Sequence, residues 1–332
     1  MIYFKFPFDE KLYSTDENSS INSISFNSFN NTEKINIAGK VIEKDLSEFE
    51  NVKISSAILP EDETDFTAET QEEYLQKLEE VIEIIKENNL PKLVLSRRKI
   101  YKDFTEIDLK ESFNNLCRNY PNAFKYLFFD GKTSWMGAFS EVLGRFNKST
   151  HEFETMSIAG TIPVSEEWTE KEIEEQKPVS SYIRNILEKY SGSNPIQESG
   201  TYDHISGNIK HLKTDFKIKI NPEDLDSIIQ ELHPTPAVCG IPKDFCKEKI
   251  EKVEKFPREL YAGYIKIETE DYIEYFVNLR CARLYKNSVH LFVGGGITAQ
   301  SNPEKEWNET ELKSEAVLKN LVVSSVRNSN VF

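Results

Sequence analysis

Residues 294–313 read GGGITAQSNPEKEWNETELK and gather acids, a lysine and glycines in one short run. The three glycines follow a strand-like apolar stretch, Val289 to Val293. Glycine tolerates positive φ and lets another group approach the backbone closely. Helix-start signals come next. Ser301 or Asn302 can cap, Pro303 suits the first turn, and Glu304 lies three residues after Ser301. A helix from about Pro303 places Glu306, Glu309 and Lys313 at i, i+3 and i+7, so two carboxylates and an ammonium share one face. One reading is a solvated charged face. The other is a site, because the glycines sit where a helix N-terminus can receive an anion. Two carboxylates on one face also suit a hard cation with oxygen ligands, typically Mg²⁺.

Two further groups stand in apolar surroundings. Lys92 opens the strand-like run KLVLSRRKI, in which Lys92, Val94, Ser96 and Arg98 alternate against Leu93, Leu95 and Arg97. A lysine that opens a strand is ordinarily an edge residue. Glu141 lies within WMGAFSEVLGRF. A lone ionised carboxylate in an apolar strand is costly, so it either points outward or has a raised pKa and a purpose.

The elements that must position these groups follow from periodicity. Thr70 to Asn88 repeats Tyr74, Leu78, Val81, Ile82 and Ile85 at helical spacing. Further helices are expected over Asp108–Tyr120, Glu167–Tyr190, Asn221–Leu232 and Phe245–Lys255. Strands are expected over Ala123–Phe129, Ser134–Phe146, Phe153–Thr161, Ile265–Thr269 and Tyr272–Leu284, with strand and turn over Tyr202–Lys219. His233–Pro242, HPTPAVCGIP, reads as an extended, proline-stiffened loop. Residues 1–68 are rich in Asn and Ser and read as a small N-terminal layer with strand-like pieces at Ile2–Phe6 and Lys53–Leu59. Strands, a glycine-rich turn and a helix at the chain end point to a layered α+β fold.

The chain has 332 residues, enough for one large domain or two ordinary ones. Its net charge of −15 argues against a nucleic-acid partner, and an anionic substrate would need a local basic pocket. The four cysteines, Cys117, Cys239, Cys246 and Cys281, form no CxxC pair, which leaves buried free thiols in a reducing cytosol as the expectation. The N-terminus carries charges where a signal peptide is apolar, and no apolar run is long enough to span a bilayer, so a cytoplasmic protein with no membrane partner is expected. A monomer is the default.

Seven segments together resemble the chorismate-utilising enzymes, the family of anthranilate synthase component I. They are KLVLSR at Lys92, IAGT at Ile158, IKHLKT at Ile209, LHPTPAVCG at Leu232, RELYAGY at Arg258, NLRCA at Asn278, and the GGGI…SNPEKEWNETELK run. The resemblance covers about Thr70 to the C-terminus. It implies one domain over 1–332, with a variable layer over 1–68 and a catalytic core over 70–328. The implied fold is two large antiparallel sheets sandwiched face to face, with helices outside and the active site between.

It also implies roles. Lys92 corresponds to the general base of members that use water as nucleophile. Glu141 corresponds to the general acid that protonates the departing C4 hydroxyl, although Ser140 replaces the proline common before it. Glu175 and Glu309 correspond to Mg²⁺ ligands, with Glu306 closer or water-mediated; Gln176 stands where the family usually has histidine. Tyr261 and Arg280 correspond to residues holding the pyruvyl carboxylate, with Gly294, Gly295 and Gly296 beside it. Ala159, Gly160 and Thr161 correspond to contacts with the ring carboxylate, Lys313 to a neutralising cation, and His211 to a histidine at the pyruvyl ether. Ala159 in place of a lysine argues against one type of aminodeoxychorismate synthase, and Ala237 in place of threonine fits members that stop at isochorismate. The implied activity is Mg²⁺-dependent isomerisation of chorismate to isochorismate; the cytosolic composition leans to menaquinone over a siderophore as the use of the product. Salicylate formation, an aminodeoxychorismate or anthranilate synthase subunit, and an inactive chorismate-binding protein are the alternatives.

Overall fold

A computed structural model describes residues 1–16, 18–45, 47, 49, 54, 56–64, 66–102, 104–206 and 209–324. In chain order the strands are β1 (Ile2–Lys5), β2 (Leu12–Thr15), β3 (Ile24–Asn27), β4 (Lys34–Ile37), β5 (Val41–Lys44), β6 (Lys92–Tyr101) and β7 (Glu106–Asp108). Next come β8 (Phe124–Phe129), β9 (Ser134–Phe139), β10 (Val142–Asn147), β11 (Glu152–Pro163), β12 (Gln197–Glu198), β13 (Tyr202–Ser206) and β14 (Ile209–Lys219). The last are β15 (Gly240–Ile241), β16 (Tyr264–Glu268), β17 (Tyr272–Val277), β18 (Cys281–Leu284), β19 (Val289–Ile297) and β20 (Val322–Ser324). The α-helices are α1 (Gln71–Asn88), α2 (Leu109–Asn119), α3 (Glu170–Tyr190), α4 (Leu225–Leu232), α5 (Lys243–Val253) and α6 (Pro303–Leu318).

The strands form two large sheets and a small one. The first runs β15-β6-β19-β18-β9-β8-β1-β2-β5. The second runs β12-β14-β11-β10-β17-β16-β3-β4, with β13 on the edge of β14. β20 pairs with β7 alone. The described strand pairs of both large sheets are antiparallel, as expected of a two-sheet α+β sandwich. The N-terminal strands do not form a separate layer. β1, β2 and β5 extend the first sheet, while β3 and β4 extend the second.

Aromatic side chains fill the space between the sheets. Phe124 on the first sheet stacks on Phe276 of the second at 4.5 Å between ring centroids, and also meets Phe4, Phe6, Tyr126 and Phe139. Helices cover the outside. α1 begins with a capping box between Thr70 and Glu73 and buries Tyr74, Leu78, Val81, Ile82 and Ile85. α3 lies on β11, and α6 lies on β19. None of the described helices is long and apolar enough to cross a membrane. Cys239, Cys246 and Cys281 are buried free thiols, while Cys117 is half-buried.

Several expected elements change where the chain turns between layers. Ser134 to Phe146 is not one strand: β9 belongs to the first sheet and β10 to the second, so Ser140 and Glu141 form the crossover. Tyr272 to Leu284 breaks at Asn278–Arg280, where Arg280 has φ 43°. The glycines 294–296 are not a turn before a helix; they continue β19 and pair with Ser96, Leu95 and Val94. The N-cap of α6 is Asn302, which accepts from the Lys305 N–H, while Ser301 Oγ bonds Glu306. His233–Pro242 is not extended, because Val238 and Cys239 both donate back to the Thr235 carbonyl. Of the strand expected over Lys53–Leu59, residues 53 and 55 lie outside the described residues, and Ser56–Ile58 is a 3₁₀ turn.

Phe124→Ala removes one of the rings that join the two sheets. A loss of about 3–5 kcal/mol in urea unfolding is expected, as for other fully buried phenylalanines. A loss under about 1 kcal/mol would show that the sheets are held together elsewhere.

Candidate active site

Lys92 is the first residue of β6 and is only 2% exposed, so it is not the solvent-edge lysine its position suggests. It enters a cavity between the ends of the sheets. Glu141, Ala159, Gly160, Thr161, Glu175 and His211 line the same cavity. So do Ala237, Tyr261, Arg280, the glycines 294–296, Glu309 and Lys313. These residues come from both sheets, from α3 and α6, and from the loop before β15. Glu306 alone of the expected residues does not face the cavity; it lies behind Gly295.

Three acids converge over the glycine strand. A Cβ built on Gly295 would lie 3.4 Å from Glu306 Oε2 and 3.7 Å from Glu309 Oε1. One on Gly296 would lie 2.6 Å from Glu175 Oε1 and 2.8 Å from Lys92 Nζ. The missing side chains are therefore what lets the acids approach the sheet, a close-approach role and not an anion-binding turn. Each acid holds a lysine: Lys92–Glu175 at 2.6 Å, Lys171–Glu306 at 2.8 Å and Lys313–Glu309 at 2.6 Å.

These pairs set the charge states. Burial would raise the Glu175 pKa, but Lys92, Lys171 and Lys313 hold it below the usual carboxylate value. Glu306 goes the other way, raised by burial and by Glu309 against the pull of Lys171 and Ser301. Burial would lower the Lys171 pKa, yet Glu306, Glu175 and Glu309 raise it. Glu141 has no such partner. Burial lifts it to about 7, opposed by the Thr235 hydroxyl, Lys92 and Lys313. Thr235 Oγ1 donates to Glu141 Oε1 at 3.1 Å.

The opposite wall is cationic and polar. Gly160, at φ 68°, sits where the pairing of β11 with β14 shifts register. A Cβ there would meet Glu172 at 3.1 Å, and an L-residue would be strained at that φ. The bulge turns the Gly160 carbonyl toward His211 Nδ1 at 3.0 Å, while Arg280 lies 2.9 Å from His211 Nε2. A guanidinium and a carbonyl fix the tautomer: Nδ1 donates and Nε2 accepts. Burial, Arg280 and Lys313 push the His211 pKa well down, so the ring is neutral. Lys313 Nζ also donates to the Gly294 carbonyl at 2.9 Å.

A divalent cation is tested by what the acids lack. Glu306 Oε2 is buried and has no hydrogen-bond partner among the described residues. An orphan carboxylate oxygen beside two further carboxylates is the donor chemistry of a hard cation. As they stand, no three His, Cys, Asp or Glu side chains among the described residues form a group that could hold a metal ion. Lysine ammoniums are paired with the acids instead. The residues fit such an ion once an acid exchanges its lysine for it.

Two contacts, those of Lys171 and of Gln176, were not foreseen from the sequence. Lys171 lies one helical turn before Glu175, a spacing that could have flagged it. Gln176 Nε2 donates to Ser157 Oγ at 2.9 Å, and Ser157 bonds Ser180 at 2.7 Å, which ties α3 to β11 behind Glu175. Only the fold brings those three together.

The family model described as chorismate binding enzyme matches residues 9–322, and the chain belongs to that family. Among curated relatives, isochorismate synthase MenF of Escherichia coli K12 is 26% identical over 257 residues, covering 73% of this chain and 58% of the relative. Isochorismate synthase EntC of the same strain is 34% identical over 152 residues, covering 45% of this chain and 39% of the relative. The chain thus spans less than two thirds of the length of either. The solved structure of Escherichia coli MenF, described as the menaquinone-specific isochorismate synthase, superposes with a TM-score of 0.77 at 20% identity. That match covers 96% of this chain and 88% of the solved one, and it defines the fold.

Gly296→Ala would push Lys92 and Glu175 apart by moving flexible side-chain ends, not backbone. The expected result is a folded protein, by circular dichroism, whose handling of chorismate falls at least about 100-fold. Unchanged handling would mean that the pair tolerates displacement.

Proposed function

We propose that the protein is an isochorismate synthase. The observation that carries this reading is the placing of two buried groups in one cavity: Glu141, a carboxyl whose pKa burial lifts to about 7, and the amino group of Lys92. A proton donor and a proton acceptor on either side of one bound ring suit the addition of water at C2 and the loss of hydroxyl at C4.

Chorismate is a dicarboxylate, and the acidic chain receives it in a locally cationic cavity. Arg280 and Tyr261 bind the pyruvyl carboxylate, and the Ala159–Thr161 segment with Lys313 faces the ring carboxylate. Mg²⁺ held by Glu175 and Glu309, with Glu306 behind them, supplies charge neutralisation for the ring carboxylate when bound. Once a cation takes its place on Glu175 and its own proton is given up, Lys92 would take a proton from the water that adds at C2. The ring double bonds shift, and Glu141 gives its proton to the oxygen leaving C4. Neutral His211, fixed by Gly160 and Arg280, orients the guanidinium without adding charge. Held geometry and fixed dipoles supply much of the rate. The product's onward use is proposed as menaquinone synthesis, on the alignment with MenF over most of this chain. A deletion strain with unchanged menaquinone would defeat that part alone.

Product analysis from chorismate with and without Mg²⁺ tests the reaction. Isochorismate should accumulate only with the ion, and Lys92→Ala should lower turnover at least about 1000-fold while chorismate still binds by calorimetry. Salicylate with pyruvate, or near-normal turnover of the variant, would overturn the assignment.

The acid role also fixes a pH dependence. Glu141 must carry its proton, so kcat/KM should fall as pH rises through about 7, the value burial gives that carboxyl in the free protein. Glu141→Gln should lower turnover at least about 100-fold and leave a residual rate without that limb. A wild-type rate that keeps rising from pH 6 to 9 would assign the acid elsewhere.

A further inference from the structure

Ser140 and Glu141 cross from one sheet to the other, between the end of β9 and the start of β10. A two-residue crossover lies outside both strands, so its direction needs other ties. Glu141 has its own carbonyl bonded to the Val277 N–H at 3.0 Å, and its carboxyl bonded to Thr235. Ser140 is tied by His204, whose Nε2 lies 2.8 Å from the Ser140 hydroxyl. His204 belongs to β13, the short strand on the edge of β14, and sits directly across from His211. β13 is itself fastened elsewhere: the Ile205 carbonyl accepts from Asn122 at 2.7 Å, and Asp203 accepts from Trp168 at 2.7 Å.

We infer that His204 is a positioning residue for Glu141, acting through Ser140 to hold the crossover so that the carboxyl faces the ring. The inference rests on the acid role assigned to Glu141. His204 does not line the cavity, so it is placed to work through its neighbour and not on substrate. A neutral imidazole can accept from the serine hydroxyl at Nε2 or donate to it from there, and the surroundings keep the ring neutral. Burial, Lys213 and Arg280 push the His204 pKa down to about 4, with Asp215 opposing. His211, the cross-strand neighbour, is neutral too. The two histidines thus serve the two ends of the site, one holding Arg280 and the other holding the residue before the acid.

The effect to look for is on the chemical step. His204→Ala and Ser140→Ala should each lower kcat about 10- to 100-fold with KM within about threefold, since misplacement by about 1 Å can cost that much. The double variant should be no worse than either single one, because both remove the same bond. His204→Gln, whose amide reaches near the place of Nε2, should recover most of the rate. Losses that multiply in the double variant, or singles within twofold of wild type, would overturn the role. Crystal structures of the two alanine variants decide the point independently of the reaction catalysed. Glu141 should move off Thr235 in both; a carboxyl still bonded to Thr235 would overturn it. Should wild-type protein make no isochorismate, the functional reading fails, while the structures still judge the positioning.

Discussion

Charge cannot be buried alone, and the site is organised by that constraint. Glu175, Glu306 and Glu309 are drawn over one strand, with Glu306 1% and Glu175 8% exposed. Each would be costly without a partner, and each has a lysine. Buried pairs of this kind are weak evidence for stability, because desolvation consumes most of the attraction. Their value here lies in fixing where carboxylates and amines point. The rest of the fold supplies the surroundings. β6 carries Lys92, β19 removes its own side chains to admit the acids, and α3 and α6 bring the acids from outside. Arg97, from the face of β6 opposite Lys92, holds α6 in register by stacking on Trp307 at 3.8 Å and bonding Thr310 and Glu311.

Much of this was legible in the sequence, but unevenly. Helix α1 and the acid face of α6 were readable because helical spacing and caps are local properties. The seven motifs carried the site, since matching residues in matching order place side chains that no periodicity relates. What the pattern missed lies where local and global preferences part. WMGAFSEVLGRF is apolar throughout, so it reads as one strand, yet it must serve two sheets and breaks at Ser140–Glu141. YIEYFVNLRCARL reads as continuous too, but Arg280 takes a left-handed backbone to turn its side chain toward His211. GGG reads as a turn because glycine usually marks one, whereas here it marks a strand approached by charged groups.

The first two misreadings and the register shift at Gly160 share a cause. A strand that simply pairs would present Glu141, Arg280 and Gly160 to whichever face alternation assigns. A crossover, a left-handed residue and a register shift each re-aim one group into the cavity. Such departures from regular structure cost about 1–3 kcal/mol where the backbone is strained, and they persist because the surroundings over-determine them. The sandwich offers those surroundings: the aromatic core around Phe124 and Phe276 lies next to the crossover, since Phe276 pairs with Val142.

The same cavity holds two carboxyls in opposite states, and the difference is one of distance to cations. Glu175 and Glu141 are both buried, and burial raises both. At an effective dielectric near 20, a unit charge at about 4 Å is worth about 4 kcal/mol, against about 1.4 kcal/mol for one pKa unit. Lys92 touches Glu175 and not Glu141, so the balance tips to the anion in the first and to the acid in the second. Thr235, the hydrogen-bond partner of Glu141, is neutral and too weak to reverse burial. A single lysine thus divides the labour between the carboxyls: one stays charged, suited to a cation, and the other keeps a proton to give. Chemistry that must deliver a proton and anchor an anion in one small space needs that asymmetry, and here it follows from which acid the amine of β6 can reach.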